Sequence, residues 1–245
     1  MTQNIYDNPE FFRVYSQMRR SVEGLEGAAE WPALRALLPD VRGKRVMDLG
    51  CGFGWFARWA REQGSGAVLG LDVSEKMLRR AMEMTADEGI AFTRADLEEI
   101  ELPAASFDLV FSSLALHYIE NLERLLGLVH AALVPEGWFV FSMEHPVYTA
   151  PRQQGWVEYE GQPSWVLNSY LAEGARATDW LAKGVIKQHR TIATMFNLLL
   201  RCGFTVTHLE EWGPAGEQIA ASPEMARERE RPMLLLVSAR RGSTR

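Results

Sequence analysis

Val46-Met-Asp-Leu-Gly-Cys-Gly-Phe-Gly54 decides the fold of this chain. An apolar run ends in an acidic residue, and three glycines then follow at alternate positions before an amphipathic stretch begins. That order reads as a strand, a tight turn and a helix. Glycines at the turn let the backbone bend and approach a ligand with no Cβ in the way. The helix behind them presents free N–H groups at its positive end, suited to a carboxylate. An ordinary glycine-rich turn is one alternative reading. A nicotinamide site is another, but the dinucleotide fingerprint G-x-G-x-x-G counted from Gly50 and Gly52 requires glycine at position 55, where Trp55 stands.

Outward from this turn, short apolar runs alternate with helical patterns, as in a parallel sheet flanked by helices. Residues 44–49 read as the first strand and 54–63 as a helix. Residues 67–71 form the second strand, and Ser74 caps a helix that runs to about residue 85. Further strands are expected at 90–93, 107–112 and 138–143. An amphipathic helix over 121–133 precedes a turn at 135–137. Later come a helix at 192–201, stopped by Gly203, a strand at 204–209, a short surface helix at 222–231 and a last strand at 233–238. Four stretches emerge: a helical cap over 1–40, a core over 41–145, an insertion over 146–189 and a return to the core over 190–245. The insertion has weak periodicity and holds Tyr148, Trp156, Tyr159, Trp165, Tyr170 and Trp180. A segment this long without an obvious pattern is a functional lid or carries local structure of its own. Its aromatics suit a flat acceptor, a dimer surface or plain core.

Carboxylates recur at the strand tips. Asp72 ends the second strand, where it can accept both hydroxyls of a ribose; capping the next helix is the alternative, though Ser74 already serves there. Asp96 follows the third strand and can accept a hydrogen bond from the exocyclic amine of a purine. Asp-Leu-Gly-Cys-Gly-Phe-Gly, Gly-Leu-Asp-Val-Ser-Glu-Lys-Met, Ala-Asp-Leu and Phe-Asp-Leu-Val-Phe-Ser-Ser-Leu-Ala-Leu-His-Tyr together resemble the class I S-adenosylmethionine (SAM) methyltransferases. Within these, the resemblance is to the type 11 group with the ubiquinone/menaquinone C-methyltransferases. It covers residues 40–145.

The resemblance implies a Rossmann-like three-layer α/β sandwich with a seven-stranded, mostly parallel sheet whose last strand is antiparallel. It implies SAM as cofactor and S-adenosylhomocysteine as product. It places Gly50 and Gly52 under the methionine portion and Asp72 at the ribose, with Asp48, Cys51 and Val73 also among the cofactor-binding residues. Met77 and Leu97 flank the adenine, with Asp96 on its amino group. Ser112, Ser113 and Leu114 face the sulfonium end. Tyr6 closes over the cofactor from the cap.

Methyl transfer needs a nucleophile held behind the methyl group and sometimes a proton acceptor. His117 and His145 follow the fourth and fifth strands, and His189 precedes a later helix. All three are candidate acid/base residues. Glu144 either orients His145 or points the opposite way if the strand continues. The expected reaction is metal-independent methylation of a small molecule, since no His, Cys, Asp or Glu spacing suggests a metal site. A SAM-binding protein without catalysis remains the alternative. The 245 residues carry a formal net charge of −6, which argues against nucleic acid as the main partner. No apolar stretch approaches the roughly 18 residues of a membrane span. The first ten residues do not read as a secretory signal. Two cysteines are too few for a disulfide framework, so a reduced cytoplasmic protein, monomer or homodimer, is expected.

Overall fold

The computed structural model describes residues 3–242; the outermost ends of the expected cap and C-terminal part, 1–2 and 243–245, lie outside the described residues. The chain begins with three short helices, α1 (Pro9–Tyr15), α2 (Arg19–Val22) and α3 (Trp31–Ala36). Asn8 starts α1 by accepting the N–H groups of Glu10 and Phe11, with Pro9 pre-set for the first helical position. Then β1 (Arg45–Leu49), α4 (Trp55–Glu62), β2 (Ala67–Asp72), α5 (Glu75–Glu83), β3 (Ile90–Arg94), β4 (Phe107–Ser113), α6 (Leu122–Ala132) and β5 (Leu133–Glu144) follow. Ser74 caps α5 as expected, accepting from Met77 N.

The insertion has its own structure. It holds a single helical turn, α7 (Pro146–Thr149), and two antiparallel hairpins. One pairs β6 (Trp156–Tyr159) with β7 (Gln162–Trp165), the other β8 (Gly174–Thr178) with β9 (Val185–His189). The chain then returns through α8 (Ile192–Arg201), β10 (Phe204–Trp212), α9 (Gly216–Ala221) and β11 (Leu234–Arg241). The short helix expected at 222–231 is a 3-10 helix over 223–229, preceded by the α-helical α9. One expectation changes here. The expected turn at 135–137 lies inside β5 as a bulge: Phe107 pairs with Leu133 but Leu109 with Trp138, and Glu136 takes φ 65°.

One seven-stranded sheet runs in the order β10-β11-β5-β4-β1-β2-β3. Strands β1 to β5 pair in parallel, while β11 is antiparallel to both of its neighbours. Strand residues alternate between two buried layers. Met47, Leu49, Val110, Phe139 and Phe141 pack with α6 and α8 on one face. Val46, Val68, Leu109, Phe111 and Val140 pack with Trp31, Leu34 and α4 on the other. The sheet order reverses at β1, whose neighbours β2 and β4 lead away in opposite directions. The crevice beyond the carboxyl ends of β1 and β4 is therefore left open for a ligand. No described helix is long and apolar enough to cross a membrane.

Candidate active site

A cavity of about 450 Å³ occupies that crevice. Its floor is the strand tips, and residues from the N-terminal cap, the insertion and the segment before β11 close over it. At the floor, Gly50 N and Cys51 N both donate to Leu71 O, at 2.8 and 2.9 Å, which folds the glycine turn over the end of β2. Gly50 has φ 73°, and a Cβ there would stand 2.5 Å from Ala115 Cβ. Gly52 has φ 52°, and a Cβ there would meet only open space. The first glycine is needed for close packing, and the second leaves room on the cavity side.

Asp72 is tied from both sides. Gly52 N donates to Oδ2 and Ser74 N to Oδ1, each at 2.9 Å. Burial pushes this carboxyl up to about 6, against the pull of those two N–H groups. Each oxygen keeps a free lone pair for a ligand hydroxyl. Behind it, on β1, Asp48 is buried and pushed up to about 8, by desolvation first and by Asp72 second. With desolvation the larger cause for Asp48 and the Asp72 charge opposing its ionisation further, near neutral pH the proton stays on Asp48 and the charge on Asp72. Val73, Met77, Asp96 and Leu97 also line the cavity. Asp96 accepts from Glu98 N at 3.0 Å, which orients its carboxylate. Leu114 lines the cavity at the tip of β4 in a left-handed conformation, φ 56°, with its N–H donating to Ser142 O. A leucine held there carries local strain, a feature common at ligand sites.

Tyr6 covers this floor from the cap, its hydroxyl 3.3 Å from that of Tyr118. Asp7 anchors the same segment by accepting from Ser74 Oγ at 2.6 Å and from Lys76 N at 3.2 Å, at the start of α5.

Several expected residues stand behind the wall. Asp48, Cys51 and Ser112 do not line the cavity. Ser112 Oγ donates to Leu49 O at 2.9 Å, stitching β4 to β1, and Ser113 is the serine that reaches the wall. Of the three histidines, His117 lines the cavity. Burial keeps its imidazole neutral, and the nearby Lys187 ammonium acts in the same direction. His145 and His189 are fully buried elsewhere. His145 caps α7 through Nδ1, which accepts from Val147 N, while Nε2 lies 3.0 Å from Glu211 Oε1. His189 bonds Thr149 Oγ1 at 2.9 Å and Tyr170 O at 2.8 Å. With both ring nitrogens engaged, His145 ties the start of the insertion to β10 and His189 ties α7 to the backbone at Tyr170; neither is free to take a proton from a ligand.

In their place the wall presents Glu144, Arg20 and the insertion's aromatics, and of these only Arg20, with Lys187 behind Glu144, went unmarked in the sequence. Glu144, at the end of β5, faces the cavity while His145 turns away. Its Oε1 accepts from Lys187 Nζ at 2.5 Å. Arg20 of α2 also lines the cavity, paired with the buried Glu30. Tyr148 and Trp180 of the insertion complete the roof. Of the two alternatives for Glu144, the structure has the second: β5 continues to residue 144, and Glu144 and His145 point opposite ways. No local signal marks Lys187 or Arg20, because their partners are 43 and 10 residues away in sequence.

Among the described residues no three His, Cys, Asp or Glu side chains gather as a metal-binding group. The glycine turn, the tethered Asp72 carboxylate and the apolar Met77 and Leu97 fit the methionine, ribose and adenine portions of SAM. Comparison with known proteins agrees. Residues 47–141 match a methyltransferase domain. A SAM-dependent methyltransferase from Mesorhizobium loti is 60% identical and covers 89% of this chain and 100% of its own, with TM-score 0.86. A putative SAM-dependent methyltransferase from Listeria monocytogenes is 40% identical and covers 90% of this chain and 100% of its own, with TM-score 0.84. The malonyl-[acyl-carrier protein] O-methyltransferase of Enterobacter lignolyticus is 34% identical over 143 residues, 58% of this chain and 55% of that protein. Identity at the level of the Mesorhizobium loti enzyme, sustained along nearly the whole fold, goes beyond a shared architecture: the chain belongs to the SAM-dependent methyltransferases, and SAM is its cofactor.

Proposed function

We propose that the methyl acceptor is a small molecule, bound beside the tips of β4 and β5 and covered by the insertion 146–189. The observation that carries this reading is the roof: Tyr148 and Trp180, both from the insertion, lie on the same cavity wall as Asp72 and Leu114. A covered site of that size suits a small acceptor and limits water around it. The net charge of −6 and the mixed charge of the wall argue in the same direction, away from nucleic acid. The two free cysteines suit the cytoplasm.

SAM supplies an activated methyl group in this site. Gly50 and Gly52 would hold its methionine portion, Asp72 its ribose hydroxyls, Met77 and Leu97 its adenine faces, and Asp96 the adenine amine. Val73 backs the ribose, Ser113 and Leu114 face the sulfonium, and Tyr6 closes the cap. Asp48, Cys51 and Ser112 support this surface from behind. Their part is to keep the turn and β4 in place.

Incubation with methyl-tritiated SAM and a cell extract, split by ultrafiltration into metabolites and macromolecules, tests the reading. Label is expected in the metabolite fraction. Label confined to protein or RNA would refute it, and the absence of a dimer–monomer change on disrupting the insertion would separate a cover from a subunit interface.

A further inference from the structure

Lys187 is fully buried, and among the described residues its ammonium donates to Glu144 Oε1, at 2.5 Å. The ring of Trp180 lies 4.8 Å from Nζ and that of Tyr148 5.8 Å. Burying two charges is expensive, and a packed apolar pair would fill the same volume at lower cost. Glu144 nevertheless lines the cavity, with Lys187 buried behind it, and only one of the carboxylate oxygens is used. Glu144 Oε2 is buried and has no hydrogen-bond partner among the described residues. Buried polar atoms are seldom left so, and a carboxylate oxygen with free lone pairs has the capacity to accept a proton or a donor.

Its position gives that capacity a use. Ser113 pairs with Ser142, and Leu114 N donates to Ser142 O, so the tips of β4 and β5 lie side by side. Glu144 is therefore next to the strand tip that would face the sulfonium. The surrounding groups are Lys187 from β9, Arg231 from before β11, Tyr148 from α7, and Tyr118 and His117 from the turn after β4. Burial raises the Glu144 carboxyl, and Lys187 and then Arg231 oppose it. His117 turns Nδ1 toward Glu144 N at 3.4 Å and stays neutral.

We propose that Glu144 is the proton acceptor for methyl transfer, held in place by Lys187 as a positioning residue, and that the acceptor is a protic nucleophile, an N–H or O–H group on a flat molecule lying against Tyr148 and Trp180. This rests on the small-molecule reading above. The acceptor's nitrogen or oxygen forms a bond to the methyl carbon with its own electron pair. The sulfur–methyl bond breaks and its pair stays on sulfur. The N–H or O–H proton passes to Glu144 Oε2 and leaves to solvent with the product. Atoms and charge then balance with no other reactant.

Calorimetry with two probes tests this without knowledge of the acceptor. S-adenosylhomocysteine has a neutral sulfur, whereas sinefungin carries an amine at the methyl-bearing position. A carboxylate facing that position favours the protonated amine. Replacing Glu144→Gln should reduce the preference for sinefungin over S-adenosylhomocysteine by roughly tenfold, with S-adenosylhomocysteine affinity unchanged. Glu144→Asp should keep part of it. In the wild type the preference should rise with pH as Glu144 ionises. Lys187→Met should move that rise to higher pH, and Lys187→Arg should restore it. An unchanged preference in Glu144→Gln, or a flat wild-type profile if that variant does not fold, would overturn the assignment. Failure of the wild type to bind S-adenosylhomocysteine at all would instead refute the cofactor reading on which it stands.

Discussion

Asp48 makes a quantitative prediction about stability. Its carboxyl is buried on β1 and pushed from 3.8 up to about 8, while Asp72 beside it is pushed to about 6. In the unfolded chain Asp48 ionises near its ordinary value. Above that value the native state therefore binds one more proton than the unfolded state, and stability falls as pH rises until the folded carboxyl itself titrates. Between pH 4 and 6 both carboxyls contribute. From about pH 6 to pH 8 Asp72 has largely titrated and Asp48 dominates this pair. At ~1.4 kcal/mol per pH unit, tapering toward the folded value, its part over that interval is about 2 kcal/mol. Asp48→Asn removes the titration and keeps the shape. Urea denaturation of both proteins at several pH values is the assay. The difference between wild type and variant should widen in favour of the variant by about 2 kcal/mol from pH 6 to pH 8. Comparing the two proteins cancels the opposite trend of the buried His117, whose depressed value makes stability grow as pH rises. Parallel stability curves would show that Asp48 is ionised in the native state and would refute the division of charge between the two strand tips.

Asp72→Ala should remove a charge-assisted pair of ribose contacts worth on the order of 1.5–3 kcal/mol, weakening SAM at least about tenfold by calorimetry; unchanged affinity would mean the carboxylate serves only the glycine turn. Gly52→Val places a branched side chain at φ 52°, in open cavity space, so SAM binding should be lost while urea denaturation still shows a folded core; full affinity would refute the placement of the turn. Arg231 is buried, 4.2 Å from the ring of Trp165 and 4.7 Å from that of Tyr148, and pairs with Glu228 at 2.9 Å. Arg231→Ala should cost about 2–4 kcal/mol and loosen the insertion, seen as faster amide exchange in residues 146–165. His145→Ala and His189→Ala should lower the melting temperature without altering the pH dependence of turnover, because both rings are engaged in structural hydrogen bonds; a large pH-dependent loss of turnover at full stability would return them to the chemistry.

The sequence by itself determined the parts of this protein whose information is local. A strand ending in Asp48, alternate glycines, Asp72 at the next strand tip and Ser74 capping α5 are each set by backbone demands within a few residues. The apolar runs of β1 to β5 and the helices between them follow from periodicity alone. The strand tips that floor the cavity were legible for that reason. What faces it was decided by tertiary structure. Whether a residue at the end of β5 faces the cavity depends on where the strand stops and how α7 begins. The chain there gives Glu144 to the cavity and uses His145 as a helix cap. Lys187 becomes a partner of Glu144 only because the hairpin β8–β9 folds back over β5, and Trp156 and Trp165 become a cage for Arg231 only when the segment before β11 arrives. These contacts join residues tens of positions apart. No period or spacing encodes them, because they form only once the assembled sheet has brought these elements together.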